Sequence, residues 1–349
     1  MKALVKTQKG SGFLEVWEVP VPKISATNQV LVKVKAAGIC GTDLHIWHDT
    51  FTYYPPVILG HEFSGEVAQV GEGVTRLVPG DGVVVEPHAK ACAVCESCRT
   101  GSAQLCKSKR SPGWGQNGAF ADYVVIEEHL LHKIPEGVPY DIAALAEPFA
   151  IVIHEVLERG VVEPGDTVVV VGAGSIGLMS AFAAKKAGAG QVIVLGTNAD
   201  EGLRFPVAKK LGIKQIVNVQ KKNAVARVME LTNGRGADLV VEASGAEQGI
   251  RTAAEVVRVK GRIAAIGMIS TETVAVPWNK LIYKVVDLRF NFSSSYTAWR
   301  KVMGFIAGET QALSALITRR ASIDEWESVF GDIEQGRSIK TLFIPSGEE

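Results

Sequence analysis

The stretch TVVVVGAGSIG, residues 167–177, decides the fold. Its first five residues are β-branched and apolar except for the leading threonine, as in a strand buried within a parallel sheet. In the glycine motif that follows, Gly172 permits a tight turn, Gly174 lets the backbone approach a pyrophosphate, and Gly177 allows close packing of strand and helix. An alanine-rich helix is predicted next, and its N-terminal N–H groups can bind phosphates. The stretch therefore predicts a dinucleotide site; the alternative is a glycine-rich turn without a ligand.

The rest of the chain predicts two domains around this stretch. Strands and helices alternate after residue 160, which favours a doubly wound parallel sheet of the Rossmann type. The predicted strands are 192–195, 216–219, 239–242 and 262–266, and the predicted helices lie around 203–211, 224–231 and 248–257. Short strands with Gly and Pro between them, such as 30–35, 65–70, 82–86 and 123–126, predict a β-rich, barrel-like domain before it. We place a catalytic domain at 1–152, completed by 291–349, and a cofactor domain at 153–290.

Composition narrows the classes of function. The chain has 349 residues, of which 47% are hydrophobic, and its 37 basic residues balance 37 acidic ones. This balance argues against nucleic-acid binding, which needs a basic surface. The apolar stretches are too short for a membrane span, and Met1–Val5 predicts a strand without the apolar core of a signal peptide. Cysteines at metal-ligand spacing indicate a reducing compartment, so we predict a cytoplasmic protein without a membrane or nucleic-acid partner.

Four of the five cysteines form a C-x2-C-x2-C-x7-C pattern. They are Cys92, Cys95, Cys98 and Cys106. Four thiolates in one short loop are the ligand set of a closed, tetrahedral structural zinc site. A nucleic-acid-binding zinc module is disfavoured by the neutral charge, and a redox pair is disfavoured by the presence of four cysteines.

A second group of ligand candidates is spread along the chain. The candidates are Cys40, which has no cysteine neighbour in sequence, His61 and Glu147, with Glu62 as an exchangeable fourth. Such a mixed set of S, N and O ligands can leave a coordination position open for a substrate. Spacing alone does not bring these residues together. Cys40 could be a buried apolar residue, His61 a structural histidine, and Glu147 a surface acid.

Several motifs together resemble a known family. Residues 38–45, 60–65 and 70–74, followed by the four-cysteine loop and the glycine motif, resemble the zinc-containing medium-chain alcohol dehydrogenases over essentially the whole chain. Within the family, residues 40–46 and 277–280 are similar to threonine 3-dehydrogenases, and residues 146–148 are similar to both these and the sorbitol-type polyol dehydrogenases. The resemblance implies a GroES-like catalytic domain with a Rossmann cofactor domain, and an oxidoreductase with two Zn²⁺ per chain and NAD(P)(H).

The resemblance also implies roles for individual residues. Cys40, His61 and Glu147 would hold the catalytic zinc, with Glu62 as an exchangeable fourth ligand. Thr42 would hydrogen-bond to the substrate oxygen, and the proton would leave towards His45. From the residues alone, Thr42 could equally be a turn hydroxyl and His45 a solvated loop residue.

The end of the second Rossmann strand bears on the choice of cofactor. NAD enzymes usually carry an acid there, but this strand ends in Gly196-Thr197-Asn198, and Arg204 could balance a 2′-phosphate. We therefore predict a preference for NADP(H), while Asp200 and Glu201 follow closely and could instead serve the ribose. The predicted cofactor-binding residues are Gly172, Gly174, Ser175, Ile176, Gly177, Gly196, Thr197, Asn198, Arg204, Ser244 and Gly267.

Substrate and assembly are less determined by the sequence. Hydroxyls at 293–295 favour a polyol or another secondary alcohol, whereas L-threonine would need a fixed cation there, for which Arg300 is the nearby candidate. A non-catalytic zinc protein of the same fold is a further alternative. Family members are dimers or tetramers, and we expect Arg262–Ser270 to form the last strand of the sheet and present its edge. A homotetramer, or else a homodimer, is predicted.

Overall fold

The computed structural model describes residues 1–345 as two compact units. One unit comprises Met1–Pro148 and Ser295–Glu349, and the other Phe149–Ser294. These junctions lie four residues from the predicted domain boundaries at 152/153 and 290/291. Within residues 1–345, no helix combines the length and apolarity that a membrane crossing needs.

The first unit is built on two β-sheets. Its strands are Lys2–Lys6, Leu14–Glu18, Gln29–Gly38, Val57–Ile58, Glu62–Val70, Gly82–Val85, Tyr123–Glu127, Leu131–Lys133, Ile317–Ala321 and Lys340–Phe343. Its helices are Gly41–Trp47, Glu96–Arg99, Tyr140–Ala143, Tyr296–Leu313 and Trp326–Glu334, with single turns at Ala103–Leu105, Glu128–Leu130, Ser314–Leu316 and Ile323–Glu325. Helix Ala146–Val152 begins in this unit and continues as the wider-turned Ile153–Arg159 in the second.

Strand Gln29–Gly38 is the centre of the larger sheet. It pairs antiparallel with Glu62–Val70 on one side, and with Tyr123–Glu127 and Lys340–Phe343 on the other. Gly38 lies opposite Glu62, and a Cβ atom at Gly38 would come within 2.5 Å of the Glu62 carboxylate. Glycine at this position therefore lets an acidic side chain lie across the strand at the end that leads to Cys40.

The second unit is a six-stranded parallel sheet with helices between its strands. In spatial order the strands are Gln215–Asn218, Gln191–Gly196, Thr167–Val171, Ala237–Glu242, Val257–Ala265 and Asp287–Phe290. The helices are Ser175–Lys186, Arg204–Lys210, Ala224–Leu231, Glu247–Val256 and Trp278–Lys284, with a single turn at Asn198–Asp200. This is the Rossmann arrangement that the alternation of elements predicted, and the fold class is confirmed.

The prediction for the edge of this sheet was wrong. We expected Arg262–Ser270 to be the last strand, but the strand ends at Ala265 and lies between two neighbours. Asp287–Phe290 pairs with it in parallel and forms the edge. This strand has only four residues and contains two charges, so its sequence carries no apolar pattern by which to recognise it.

Candidate functional site

A metal-ligand cluster forms where two strands of the first unit end. Cys40 lies at the N-terminus of helix Gly41–Trp47, just after Gly38, and His61 and Glu62 lie at the start of the paired strand. Ligand atoms of these three residues all lie within 4.8 Å of one another. His61 and Glu62 are buried and Cys40 is half-buried. The strand pairing thus brings together three of the four predicted ligands, which fit a cation in chemistry and spacing.

Glu147 lies outside that compact group but acts on it electrostatically. It is 4% exposed, and its buried Oε2 has no hydrogen-bond partner. Burial raises the pKa of Glu147 to about 7 and Glu62 adds to the rise, while His61, Lys340 and Lys109 oppose it. A buried carboxylate without a donor is costly unless a cation balances it. The environment of Glu147 therefore fits a metal ligand and does not fit the surface acid that was the alternative.

A carboxylate that the sequence reasoning missed, that of Asp43, lies beside His61. Nδ1 of His61 lies 3.8 Å from Oδ1 of Asp43, and within residues 1–345 neither atom makes a hydrogen bond. Asp43 is fully buried, and its Oδ2 accepts a hydrogen bond of 2.9 Å from the backbone N–H of Cys40. Burial lowers the pKa of His61, but Cys40, Asp43 and Glu147 raise it well above its usual value. A carboxylate behind a ligating imidazole is a common arrangement in metal sites, because it fixes the ring and its tautomer.

Glu62 has a second unpredicted partner. Nζ of Lys340 donates to its carboxylate at 2.5 Å and to the carbonyl of Ile39 at 3.1 Å. Burial lowers the pKa of Lys340, but the negative charges of Glu62, Cys40 and Glu147 outweigh this and raise it. The two residues are 278 positions apart, so nothing in the local sequence indicates the pair.

The two predicted proton-transfer residues occupy different environments. The Thr42 hydroxyl lies 3.6 Å from Cys40 Sγ, at the metal cluster. His45 is exposed, and its Nδ1 lies 3.1 Å from the Thr50 hydroxyl. Helix Gly41–Trp47 carries both side chains. Thr42 is therefore at the site itself and His45 at its solvent side.

The four-cysteine loop forms a second cluster. Its sulfur atoms all lie within 4.8 Å of one another. The backbone N–H of Cys92 donates to Cys106 Sγ at 3.3 Å and lowers the pKa of Cys106 to about 6, whereas burial and neighbouring cysteines raise the pKa of Cys98 to about 12. Four thiolates this close repel one another unless a cation binds them. The loop has the ligands and the spacing that a structural zinc site needs.

The glycine motif borders a pocket of about 590 Å³ in the second unit. Of the predicted cofactor residues, those that line it are Gly172, Gly174, Gly196, Thr197, Arg204 and Ser244. A Cβ atom at Gly174 would meet nothing within 4 Å, so this glycine faces open space, while one at Gly177 would lie 1.9 Å from the Gly172 carbonyl. The pocket does not include Ser175, Ile176, Gly177, Asn198 or Gly267. The cradle fits a dinucleotide, and Gly177 acts in it through strand–helix packing.

One acid, Asp200, lies four residues after the end of strand Gln191–Gly196. Asp200 is buried, and its carboxylate accepts hydrogen bonds from the Thr197 backbone N–H at 2.7 Å and hydroxyl at 3.0 Å. Its other oxygen accepts from Arg204 at 2.8 Å. Glu201 turns away and binds Lys221. Of the two acids considered for the ribose, only Asp200 reaches the pocket, and it is already bonded on both oxygens.

Comparison with known proteins shows which family carries this arrangement. Residues 26–136 match the alcohol dehydrogenase GroES-like domain, and residues 175–308 match the zinc-binding dehydrogenase domain. The chain belongs to the zinc-containing medium-chain alcohol dehydrogenase family. It is an oxidoreductase of that family, and the resemblance seen in the sequence is confirmed.

Individual members of the family match the chain end to end. A sorbitol dehydrogenase from Halalkalibacterium halodurans is 36% identical over 345 residues, with 99% of each chain covered. An L-threonine 3-dehydrogenase from Sinorhizobium fredii is 36% identical over 347 residues, with 98% of each covered. A zinc-binding dehydrogenase from Sinorhizobium meliloti 1021, bound to NADP, superposes with a TM-score of 0.91 at 29% identity and 99% coverage of both chains. The alcohol dehydrogenase family thus contains relatives of this chain with different substrates.

Proposed function

We propose that this dehydrogenase transfers a hydride between a secondary alcohol or polyol, or the corresponding ketone, and NAD(P). The observation that carries the proposal is the buried cluster of Cys40, His61 and Glu62, with ligand atoms within 4.8 Å of one another. The polyol assignment is supported by the similarity to a sorbitol dehydrogenase. We assign catalysis to residues 1–152 with 291–349 and cofactor binding to residues 153–290.

Cys40, His61 and Glu147 would hold the catalytic zinc, and Glu62 would exchange as a fourth ligand. When bound, the metal supplies a Lewis acid that makes the substrate hydroxyl more acidic. A nicotinamide cofactor bound at the glycine motif would supply the acceptor for the hydride of the carbinol carbon. Thr42, placed 3.6 Å from Cys40 Sγ, would accept the hydroxyl proton in a hydrogen bond, and the exposed His45 would pass it to solvent.

Glu62 would need to leave Lys340 before it could act as an exchangeable ligand. The ion pair between them holds the carboxylate at 2.5 Å from Nζ. Asp43 would keep the imidazole of His61 in the orientation that presents its other nitrogen, Nε2, for ligation. These two residues position the ligands without touching the substrate.

We propose two zinc ions per chain and a preference for NADP(H). The second zinc would bind Cys92, Cys95, Cys98 and Cys106 and stabilise a loop that has little apolar core. For the cofactor, Arg204 lines the pocket, so its positive charge lies where it would meet a 2′-phosphate while its Nη1 binds Asp200. The Sinorhizobium meliloti structure of the same fold contains bound NADP, which supports this proposal.

L-Threonine is the second candidate substrate. The similarity to an L-threonine 3-dehydrogenase supports it, and it would require a cation for the carboxylate. Arg300 is exposed on helix Tyr296–Leu313. Of the hydroxyls proposed to favour a polyol, Ser294 is fully buried and Ser295 accepts a hydrogen bond from the Ala298 backbone N–H. This hydrogen bond caps helix Tyr296–Leu313, so Ser295 has a structural role at its start.

We propose a cytoplasmic homotetramer, with a homodimer as the smaller alternative. Five free cysteines at metal-ligand positions support a reducing compartment. The edge strand Asp287–Phe290 and the exposed side chains of Trp278, Ile282 and Tyr283 support assembly through the second unit. Light scattering at micromolar concentration tests this, and a monomer mass would contradict it.

The experiment for the activity is reduction of NADP⁺ or NAD⁺ with a panel of polyols, secondary alcohols and L-threonine. We expect turnover that a chelator abolishes and added zinc restores. Zinc-loaded protein without turnover on any of these alcohols would favour the alternative, a zinc-binding protein of the same fold that has lost catalysis.

A further inference from the structure

Glu242 is a buried acid that the proposed roles leave unused. It is the last residue of strand Ala237–Glu242 and is 2% exposed, and within residues 1–345 no lysine, arginine or histidine pairs with it. Burial raises the pKa of Glu242, and hydrogen bonds from Ser244 and Gly245 oppose the rise. A buried carboxylate without a cation is costly, whereas a neutral glutamine could accept most of the same hydrogen bonds. The hydrogen bonds alone therefore do not explain the negative charge.

The hydrogen bonds to this carboxylate come from the turn that follows the strand. Oε1 of Glu242 accepts from the backbone N–H of Ser244 at 3.0 Å and from the Ser244 hydroxyl, and Oε2 accepts from the Gly245 N–H at 3.3 Å. The Ser244 hydroxyl itself accepts from the Ala246 N–H at 3.2 Å, which leaves its own proton for the carboxylate. These three donors favour the ionised form of Glu242 and fix its position.

The carboxylate lies directly behind the wall of the cofactor pocket. Ser244 is exposed and lines that pocket together with Gly172 and Gly249. A Cβ atom at Gly249 would lie 2.2 Å from the Ser244 hydroxyl oxygen and 3.1 Å from Oε1 of Glu242, and one at Gly172 would lie 3.0 Å from Ser244 Cα. A Cβ atom at Gly267 would lie 2.5 Å from Oε2. Residues without side chains thus surround Glu242, and a single hydrogen-bonded residue joins it to the pocket.

The order of the strands assigns Glu242 to one half of the dinucleotide site. The strand of the glycine motif, Thr167–Val171, has Gln191–Gly196 on one side and Ala237–Glu242 on the other. Arg204, proposed to meet the 2′-phosphate of the adenosine half, follows the strand on the first side. In a Rossmann sheet the dinucleotide crosses the carboxyl ends of the strands where the strand order reverses, and each half of the sheet binds one mononucleotide. The nicotinamide half would therefore lie on the side of the strand that ends in Glu242.

We propose that the charge of Glu242 makes the site selective for the oxidised form of the cofactor. The nicotinamide ring carries a positive charge in NAD(P)⁺ and none in NAD(P)H. A charge with little water around it acts more strongly on its neighbours than a charge in solvent. Glu242 therefore stabilises bound NAD(P)⁺ relative to bound NAD(P)H, which favours oxidation of the alcohol. This inference rests on the proposed use of NAD(P) and adds a preference between its two redox states.

The test compares the binding of the oxidised and the reduced cofactor. Isothermal titration calorimetry of zinc-loaded wild-type and Glu242→Gln protein gives Kd for NADP⁺ and NADPH, and for NAD⁺ and NADH. We expect Glu242→Gln to raise the ratio of the oxidised to the reduced Kd about 3- to 30-fold in either pair. The ratio cancels what both states share, including the pyrophosphate and the shape of the turn. Glu242→Asp keeps the charge and should retain the wild-type ratio within about threefold, even if both affinities fall.

Glu247 provides the matched control, since it is exposed five residues further along and pairs with Arg251. Glu247→Gln makes the same change of charge and should leave the ratio within about twofold. Arg204→Gln should weaken NADP⁺ and NADPH alike, because the 2′-phosphate is the same in both. Thermal unfolding is measured for every variant. If Glu242→Gln fails to fold, Glu242→Met replaces the carboxylate by an uncharged group of similar length and gives the same comparison.

The outcomes separate this inference from the proposed function, because binding needs no turnover. A raised ratio in Glu242→Gln supports the inference even if the chain oxidises none of the alcohols tested. Equal changes in the two affinities would show that Glu242 only supports the turn, and an equal shift of the ratio in Glu247→Gln would show a general effect of surface charge. Either result overturns the inference and leaves the proposed function standing. Wild-type protein that binds neither cofactor would overturn both.

Discussion

Replacing Lys340 by methionine should destabilise the first unit strongly. The ammonium group is 3% exposed and its partner Glu62 is 1% exposed, so water cannot replace either side of the pair. Methionine keeps most of the volume but removes the donor at 2.5 Å from the carboxylate and the donor to the Ile39 carbonyl. Breaking one side of a buried ion pair costs about 3–5 kcal/mol, because the other charge is left uncompensated.

Thermal unfolding of zinc-loaded protein measures this loss. For a unit of this size, a loss of that magnitude lowers the unfolding midpoint by roughly 6–20 °C. Two controls define the mechanism. Lys340→Arg keeps the charge and should retain most of the stability, and the double variant Lys340→Met with Glu62→Gln should be more stable than Lys340→Met alone. If Lys340→Met lowers the midpoint by less than about 2 °C, or if the double variant is as unstable as the single one, the assignment of the pair as a stabilising partnership is wrong.

Three other predictions concern the metals and the cofactor. Metal analysis should give two zinc ions per wild-type chain. Cys40→Ser should lose one zinc and activity with its fold retained, whereas Cys98→Ser should lower the midpoint of thermal unfolding. Full activity in Cys40→Ser would contradict the catalytic assignment. Zinc affinity of the catalytic set, measured by competition with a chromophoric chelator, should fall as the pH drops below about 7, because Glu147 and His61 both have a raised pKa and must lose a proton to bind. The fall should be shallower in Glu147→Gln, and the same pH dependence in that variant would argue against Glu147 as a ligand. Arg204→Gln should lower kcat/KM for NADP⁺ at least about tenfold and leave that for NAD⁺ nearly unchanged, and equal losses on both would refute a 2′-phosphate contact.

The strands of the second unit could be predicted from the sequence where they contain several consecutive apolar residues. Thr167–Val171 and Ala237–Glu242 lie in the middle of the sheet, and each contains consecutive apolar residues, 168–171 and 239–241, that the sequence shows directly. The edge strand Asp287–Phe290 contains two charged residues and is stabilised by pairing with Val257–Ala265. Only the partner makes it a strand, so local pattern did not reveal it.

The candidate site divides in a similar way. The spacing of Cys92, Cys95, Cys98 and Cys106 indicates metal ligands directly, whereas only the resemblance to the family placed Glu147 with Cys40, 107 positions away. Asp43 could have been found, because it lies three residues from Cys40 at the start of a helix and forms a capping box there. Lys340 could not, because lysine is common and its burial depends on contacts between distant segments.

At the cofactor site, the structure argues against one substitution that the sequence suggests. From the sequence, an acid is missing at Thr197, and Thr197→Asp would be the obvious change to convert preference towards NAD. The structure has the Asp200 carboxylate 3.0 Å from the Thr197 hydroxyl, so the substitution would bring a second carboxylate against a buried one and remove a hydrogen bond that caps the turn Asn198–Asp200. Its effect on stability would obscure any effect on specificity. Arg204 carries the positive charge that the proposed preference requires, and its removal changes that charge without crowding Asp200. The informative substitution is therefore Arg204→Gln, which removes the counter-charge, and not Thr197→Asp, which adds an acid beside Asp200.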